Sequence, residues 1–249
     1  MTDTTSTLDL VISALGPLAQ GTITGTIPLA LLSFALGLVL ALGTALARLS
    51  GNAIARGAAR VYISIVRGTP LLVQLFIIFY TLPTIGVVID PFPSAVIAFS
   101  LNVGAYAAEA IRAAILSVPQ GQWEAAEIIG LSRTTTLRRV ILPQALRVAV
   151  PPLSNTFISL VKDTSLASSI MVIELLRKAQ EIAAPTYEFL ALYTLAAAYY
   201  WVLCTLLSVL QDYLENRLDP VTRAARTETR ELSAAAAAAT ARNSLAPVA

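Results

Sequence analysis

The chain has 249 residues, of which 56% are hydrophobic and 13% charged, with a formal net charge of +2 and a mean hydropathy of +0.73. An average soluble domain carries about 25% charged residues, so this composition excludes a water-soluble globule, and its hydrophobicity excludes an intrinsically disordered chain. The lone Cys204 excludes an internal disulfide, the absence of histidine removes His-metal sites and Ser-His or Cys-His nucleophile pairs, and the charge is too small to argue for nucleic acid.

The charge-free run from Leu10 to Ala47 is about twice the ~20 residues that a hydrocarbon layer requires. Pro17, Gly21 and Gly25 interrupt its first half, which predicts an interfacial helix over Leu8 to Ala19 and a first span from about Ile23 to Ala47. Asp3 and Asp9 stand where a cleavable signal would carry basic residues, so the start of the chain does not read as one. Span 2 is the charge-free stretch from Gly68 to Ile89, closed by Pro83 and the turn Asp90-Pro91-Phe92-Pro93. Span 3 runs from about Ser94 to Leu116, with Glu109 and Arg112 toward its end. Ser117 to Arg147 is too charged to cross. Pro151-Pro152 suits the first turn of a helix and opens span 4, Pro151 to Ile173, with Lys162 and Asp163 in its middle. Span 5 is Phe189 to Leu210. These boundaries predict an all-α polytopic membrane protein, with an interfacial N-terminal segment 1–21, a transmembrane domain 22–217 and a disordered tail 218–249 that contains the alanine run Ala234 to Ala239.

Orientation follows from the basic residues. None precedes span 1 and none lies between Pro83 and Pro93. The 1–2 loop carries Arg48, Arg56 and Arg60, the 3–4 loop Arg133, Arg138, Arg139 and Arg147, and the tail Arg217, Arg223, Arg226, Arg230 and Arg242. The positive-inside rule places these three segments in the cytoplasm, with the N-terminus outside and five spans; only Arg177 and Lys178 break the pattern.

An ionised group in mid-span costs about 2.5 to 3.5 kcal/mol on insertion scales, so it asks for a partner, a wet cavity or a ligand. Lys162 and Asp163 point about 100° apart on a helix and cannot neutralise each other across one face. At least one of them needs a group from another helix, and two readings are open: a buried inter-helix ion pair, with Glu109 for Lys162 or an arginine for Asp163, or a role for Asp163 as the site for an ammonium group. Lys162 reads as structural, since its stem can snorkel. Asn155, Thr156 and Ser159 lie one to two turns before Asp163; they line a path or make interhelical hydrogen bonds. Arg67-Gly68-Thr69-Pro70 should break a helix, and broken helices in membranes border protein or a wet cavity. Arg67 then either takes a carboxylate bidentately or ends span 2 at the headgroups. Glu109 and Arg112, at i and i+3, share a face and form a local ion pair.

In the 3–4 loop, Pro119 opens and Gly130 closes a helix of about ten residues, Gln120 to Ile129, too short to stand unaided and therefore docked. Ala125 and Ala126 allow close approach to a partner, and Trp123 and Ile128 offer apolar anchors. Glu124-Ala125-Ala126, Gly130 and Leu142-Pro143 keep the spacing of the EAA loop of ABC importer permeases, which this segment resembles; Val140 replaces the usual isoleucine. Arg67-Gly-Thr-Pro-Leu, Gly104-Ala-Tyr-Ala-Ala-Glu-Ala-Ile-Arg and Lys162-Asp-Thr-Ser-Leu resemble the polar amino-acid branch of that family. Asp90-Pro-Phe-Pro-Ser, the stretch from Pro151 to Ala167 and Tyr200-Trp-Val-Leu are most similar to L-cystine permeases. Two departures stand out: Ala113 follows Arg112 where many members have glycine, and Thr156 stands where several cationic amino-acid permeases carry an acid.

The resemblance implies an ABC type I importer permease fold in a bacterial inner membrane. It makes Gln120 to Ile129 a cytoplasmic coupling helix, with Glu124, Ala125, Ala126, Gly130 and Pro143 engaging an ATP-binding subunit. It also places Arg67, Thr69, Asn155, Thr156, Ser159 and Asp163 beside an amino-acid substrate. The implied partners are two ATP-binding subunits, which hold ATP and Mg, a second permease subunit, identical or a close paralogue, and a periplasmic or lipid-anchored binding protein. No Gly-x-x-x-x-Gly-Lys-Ser/Thr occurs, so the chain is expected to hold no nucleotide or other cofactor of its own. An ion-driven secondary transporter would call for inverted halves and more spans, and a membrane enzyme for a nucleophile and base; neither is evident.

Overall fold

The computed structural model describes residues 4–218, so the tail beyond 218 lies outside the described residues. The chain divides into a unit covering Met1–Ser208 and a second covering Val209–Ala249; the described part of the second, 209–218, is helical. Among the described residues there are helices and turns and no strand.

Helix α1 (Thr4–Gly21) passes through a π-helical turn at Thr22–Thr26 into α2 (Ile27–Leu49) without interruption. The expected break at Pro17, Gly21 and Gly25 is absent, and 43 residues from Thr7 to Leu49 form one continuous apolar helix. The glycines serve close packing instead. A Cβ on Gly21 would lie 2.8 Å from Lys178 Cγ and 3.0 Å from the Glu174 carbonyl oxygen, and one on Gly25 would strike the Ile173 carbonyl oxygen. Gly25→Val is therefore expected to destabilise the protein by about 1–3 kcal/mol through overpacking, read as a lowered melting temperature in detergent; an unchanged melting temperature would count against this contact.

Asn52 Oδ1 accepts the N–H groups of Ile54 and Ala55 at 2.9 and 3.2 Å and so caps α3 (Ala53–Gly68). Sequence reading treats this stretch as a loop. Its arginines obscure an amphipathic helix, in which Ala59, Ile63 and Val66 are buried while Arg56, Arg60 and Arg67 share another face. At Gly68-Thr69-Pro70 the helix breaks as expected. The chain turns by 106° into α4 (Leu71–Phe76), which continues through a π-helical turn at Ile77–Thr81 and a 3-10 turn at Leu82–Ile85.

Helix α5 (Pro91–Leu116) starts with proline in its first turn after Asp90. The short α6 (Gln120–Ile128) ends where Gly130 adopts φ +75. Next come α7 (Arg133–Thr136), a π-helical turn at Leu137–Ile141 and α8 (Leu142–Asp163). Span 4 is thus corrected: the helical course begins at Arg133, and Pro151 and Pro152 lie inside α8. A proline removes one donor from the helix ladder; buried Ile141, Ala145 and Ala149, packed on Ala114, Ile115 and Val118, hold the helix through them. Lys162 and Asp163 therefore end α8, and a 3-10 turn (Thr164–Ile170) follows.

Helix α9 (Leu175–Thr186), also read as loop, buries Leu175, Ala179 and Ala183 at four-residue spacing. Arg177 and Lys178, the exceptions to the charge asymmetry, both pair with Glu181 at 3.3 and 3.2 Å. The last helix is α10 (Phe189–Leu218). Among the described residues three helices, Thr7–Leu49, Pro91–Leu116 and Phe189–Arg217, are individually long and apolar enough to cross a membrane. The pairs 53–68 with 71–85 and 133–170 with 175–186 qualify only as bent units.

The main core lies between α2 and α5. Ser33, Gly37, Ala41 and Ala45 recur every fourth residue on α2 and are all buried, a seam of small residues that lets helix backbones approach. A Cβ on Gly37 would lie 2.6 Å from Val103 Cβ. A second apolar cluster joins α1, α9 and α10 through Ala14, Leu18, Leu175, Ala179, Ala183, Leu192 and Ala196.

Candidate functional site

The break at 68–70, α5 and α8 enclose a cavity of about 420 Å³. The break contributes Thr69, Pro70 and Leu71; α5 contributes Asn102, Val103 and Tyr106; α8 contributes Asn155, Thr156, Ser159, Leu160 and Asp163. Asn155, Ser159 and Asp163 follow at four-residue spacing, which puts two neutral polar groups and a carboxylate in one row on α8. The Thr156 hydroxyl donates to the Pro152 carbonyl at 2.8 Å, inside its own helix.

The break is stabilised locally. The Thr69 hydroxyl donates to the Ile65 carbonyl at 2.9 Å, and Gln74 Nε2 donates to the carbonyls of Val66 and Thr69 at 2.8 and 3.1 Å. The carbonyl end of α3 is thus capped by side chains rather than left open. Gln74 is the residue that sequence reasoning misses, the one amide side chain in the charge-free run from Gly68 to Ile89.

Arg67 closes α3 and does not line the cavity; its guanidinium lies 5.0 Å from the centre of the Tyr106 ring, a cation–π distance. It is held beside the cavity by a residue that lines it. Asp163 is half-buried and belongs to none of the ion pairs among the described residues, and the same holds for Lys162, which is exposed. Glu109 is paired elsewhere. Arg112 donates from Nε and Nη2 to its Oε2 at 3.0 and 2.9 Å, and Arg48 Nε lies 3.4 Å from its Oε1, a coulombic contact without hydrogen-bond alignment. The arrangement lines the cavity with one carboxylate, two amides and four hydroxyls, a set suited to a small zwitterion with hydrogen-bonding groups. Asn102 and Tyr106 were not anticipated, although their i, i+4 spacing in span 3 is the same signal that marks Asn155 and Ser159.

The Arg48–Glu109–Arg112 trio links α2 to α5. Glu109→Gln leaves two partly buried guanidinium groups facing each other and is expected to destabilise the protein by about 1–3 kcal/mol, more than Arg48→Gln does. A double-mutant cycle on thermal unfolding checks this; equal losses for the two would reject the trio as a unit.

Away from the cavity, α6 is docked by its own residues. Ala126 is buried, Trp123 packs on the Ala114–Ile141 cluster, and Gln144 Nε2 donates to Gln122 Oε1 at 3.3 Å. Its end is a Schellman turn: Gly130 N–H donates to the Glu127 carbonyl at 2.9 Å and Leu131 N–H to that of Ala126 at 3.0 Å. Glu124, Ala125 and Gly130 are exposed, and Ile128 is 84% exposed, so this face presents an acid, small residues and an apolar side chain outward. Pro143 lies exposed in the first turn of α8.

Comparison with known proteins agrees with this architecture. Residues 33–220 match the family of binding-protein-dependent transport system inner membrane components. The chain is 62% identical over 212 residues to the L-cystine transport system permease protein TcyB of Bacillus subtilis, covering 85% of this chain and 91% of that one. It is 43% identical over 195 residues to the glutamine transport system permease protein GlnP of Escherichia coli K12, covering 78% and 89%. Its fold is similar to that in the crystal structure of an amino acid ABC transporter with histidines, with a TM-score of 0.80, 35% identity and coverage of 87% of this chain and 99% of the other.

Proposed function

We propose, from the premise that this chain belongs to the family of binding-protein-dependent transport system inner membrane components, that it is the permease subunit of an ATP-driven importer of L-cystine. The observation that carries this reading is a cavity in which one carboxylate and a row of neutral polar groups gather at a helix break, in a chain 62% identical to an L-cystine permease. Asp163 receives a substrate ammonium, Asn155, Ser159 and Thr69 hydrogen-bond its polar groups, and Arg67, swung from the Tyr106 ring, takes a carboxylate. Cystine carries two ammonium and two carboxylate groups, so one end can engage Asp163 and the other Arg67.

The exposed face of α6, with Glu124, Ala125 and Gly130, docks in a cleft of an ATP-binding subunit on the cytoplasmic side, where the arginine asymmetry places the 3–4 loop. The hydrogen bond from Gln144 to Gln122 ties the helix to α8, and Ala126 and Pro143 complete the coupling segment. Two such ATPase subunits, two permease chains related by a two-fold axis and an external binding protein complete the assembly. ATP-driven closure of the ATPases draws the two α6 helices together and rocks the membrane halves around the cavity. Competition for radiolabelled cystine uptake by a panel of amino acids tests the substrate: cystine is expected to compete at the lowest concentration. Stronger competition by glutamine would transfer the reading to a glutamine importer, the alternative favoured by the 43% identity to GlnP.

A further inference from the structure

Glu174 is fully buried, yet none of the ion pairs among the described residues includes it. Its Oε1 accepts the N–H of Arg177 at 2.7 Å and thereby caps α9. Its Oε2 accepts the hydroxyl of Tyr200, from α10, at 2.7 Å and that of Thr26, from the turn joining α1 to α2, at 3.4 Å. Thr26 Oγ1 in turn accepts the N–H of Leu175 at 3.2 Å. Gly21 and Gly25 clear the side-chain space that would otherwise hold the α1–α2 junction away from residues 173–178.

Burying a carboxylate without a cation is costly unless hydrogen bonds replace its water, and three donors do so here. The surrounding contacts are alanines and leucines, whose attraction has no preferred direction. Tyr199 ties α10 to the N-terminal helix directly, its hydroxyl donating to the Leu15 carbonyl at 2.8 Å, whereas Glu174 is the side chain whose hydrogen bonds reach the α1–α2 junction, α9 and α10 together. It also follows the cavity along the chain: Asp163 ends α8, the 3-10 turn follows, Met171 stands at φ 64 where the course bends by 46°, and Glu174 begins the next helix. Gln180 on α9 donates to Ser168 in that turn at 3.4 Å.

We propose that Glu174 is a positioning residue for transport. It holds the α1–α2 junction, α9 and α10 as one body, so that movement of this body reaches Asp163 through residues 164–173. The inference rests on the importer reading above. Its test uses the assembled transporter in proteoliposomes, measuring amino acid moved per ATP hydrolysed. Glu174→Gln keeps one acceptor for Arg177 but offers an amide to two hydroxyls, and is expected to lower that ratio by about tenfold while half-saturation changes by less than about twofold. Tyr200→Phe and Thr26→Val should lower it by smaller factors, and combining them with Glu174→Gln should add nothing. An unchanged ratio in Glu174→Gln overturns the proposal, as does a loss confined to half-saturation. Should Glu174→Gln fail to assemble, an unchanged ratio in both single-hydroxyl variants overturns it. Absence of uptake by the wild-type assembly would refute the importer reading instead; hydrogen exchange on the purified chain then decides, with Tyr200→Phe expected to raise exchange at 22–26 and 175–179 together and a rise in neither segment overturning the role.

Discussion

Asp163→Asn in the assembled transporter is expected to raise the half-saturating cystine concentration by about thirty- to a hundredfold, the loss of one hydrogen bond to a charged group, with membrane insertion unchanged. The substitution keeps the shape of the cavity wall and removes only the charge. Because Asp163 makes no ion pair among the described residues, its loss frees no protein cation, and the effect falls on the ligand's ammonium. Ser159→Ala and Thr69→Val, which remove neutral partners, are expected to cost about tenfold or less each. Binding measurements on the reconstituted assembly check the series, and an unaltered half-saturation in Asp163→Asn would remove this carboxylate from the site.

Gly130→Val should uncouple the transporter. Gly130 stands at φ +75, where a residue with a Cβ is disfavoured by about 1–2 kcal/mol and a β-branched one more, so valine unwinds the Schellman turn that ends α6. Glu124 and Ala125 then lose their fixed relation to Leu131 and α7. The expected result is a fall in uptake of about tenfold or more, while ATP hydrolysis by the motor subunits persists. Gly130→Asn, which tolerates left-handed backbone, should retain most activity, and this contrast ties the loss to backbone geometry. Equal uptake in the wild type and Gly130→Val would reject a coupling role for the end of α6.

Several errors of sequence reading share one cause. Pro17, Gly21, Gly25, Pro151 and Pro152 are local helix breakers in a peptide, and here each lies within a continuous helical course. Gly21 and Gly25 were selected by a neighbour, residues 173–178, that no local pattern reveals. Conversely, the charges of Arg56 and Arg60 make α3 read as a loop, although its apolar residues keep helical periodicity. Burial of Ala59, Ile63 and Val66 shows the helical stripe that was present in the sequence throughout. The cavity was partly legible: Asn155, Ser159 and Asp163 announce themselves as polar groups at helical spacing in an apolar span, whereas Asn102 and Tyr106 passed unremarked although they obey the same rule.

Composition and periodicity alone determined that this chain is helical and membrane-embedded, that Gly68-Thr69-Pro70 breaks a helix and that a short helix ends at Gly130, because hydropathy, proline and left-handed glycine act within a few residues. Tertiary structure decided which breakers break, where α8 begins, that Glu174 finds partners on distant helices and that Arg48 of α2 joins the local Glu109–Arg112 pair. Those outcomes depend on the space and the donors that one helix offers another, and that complementarity exists only once the helices have packed.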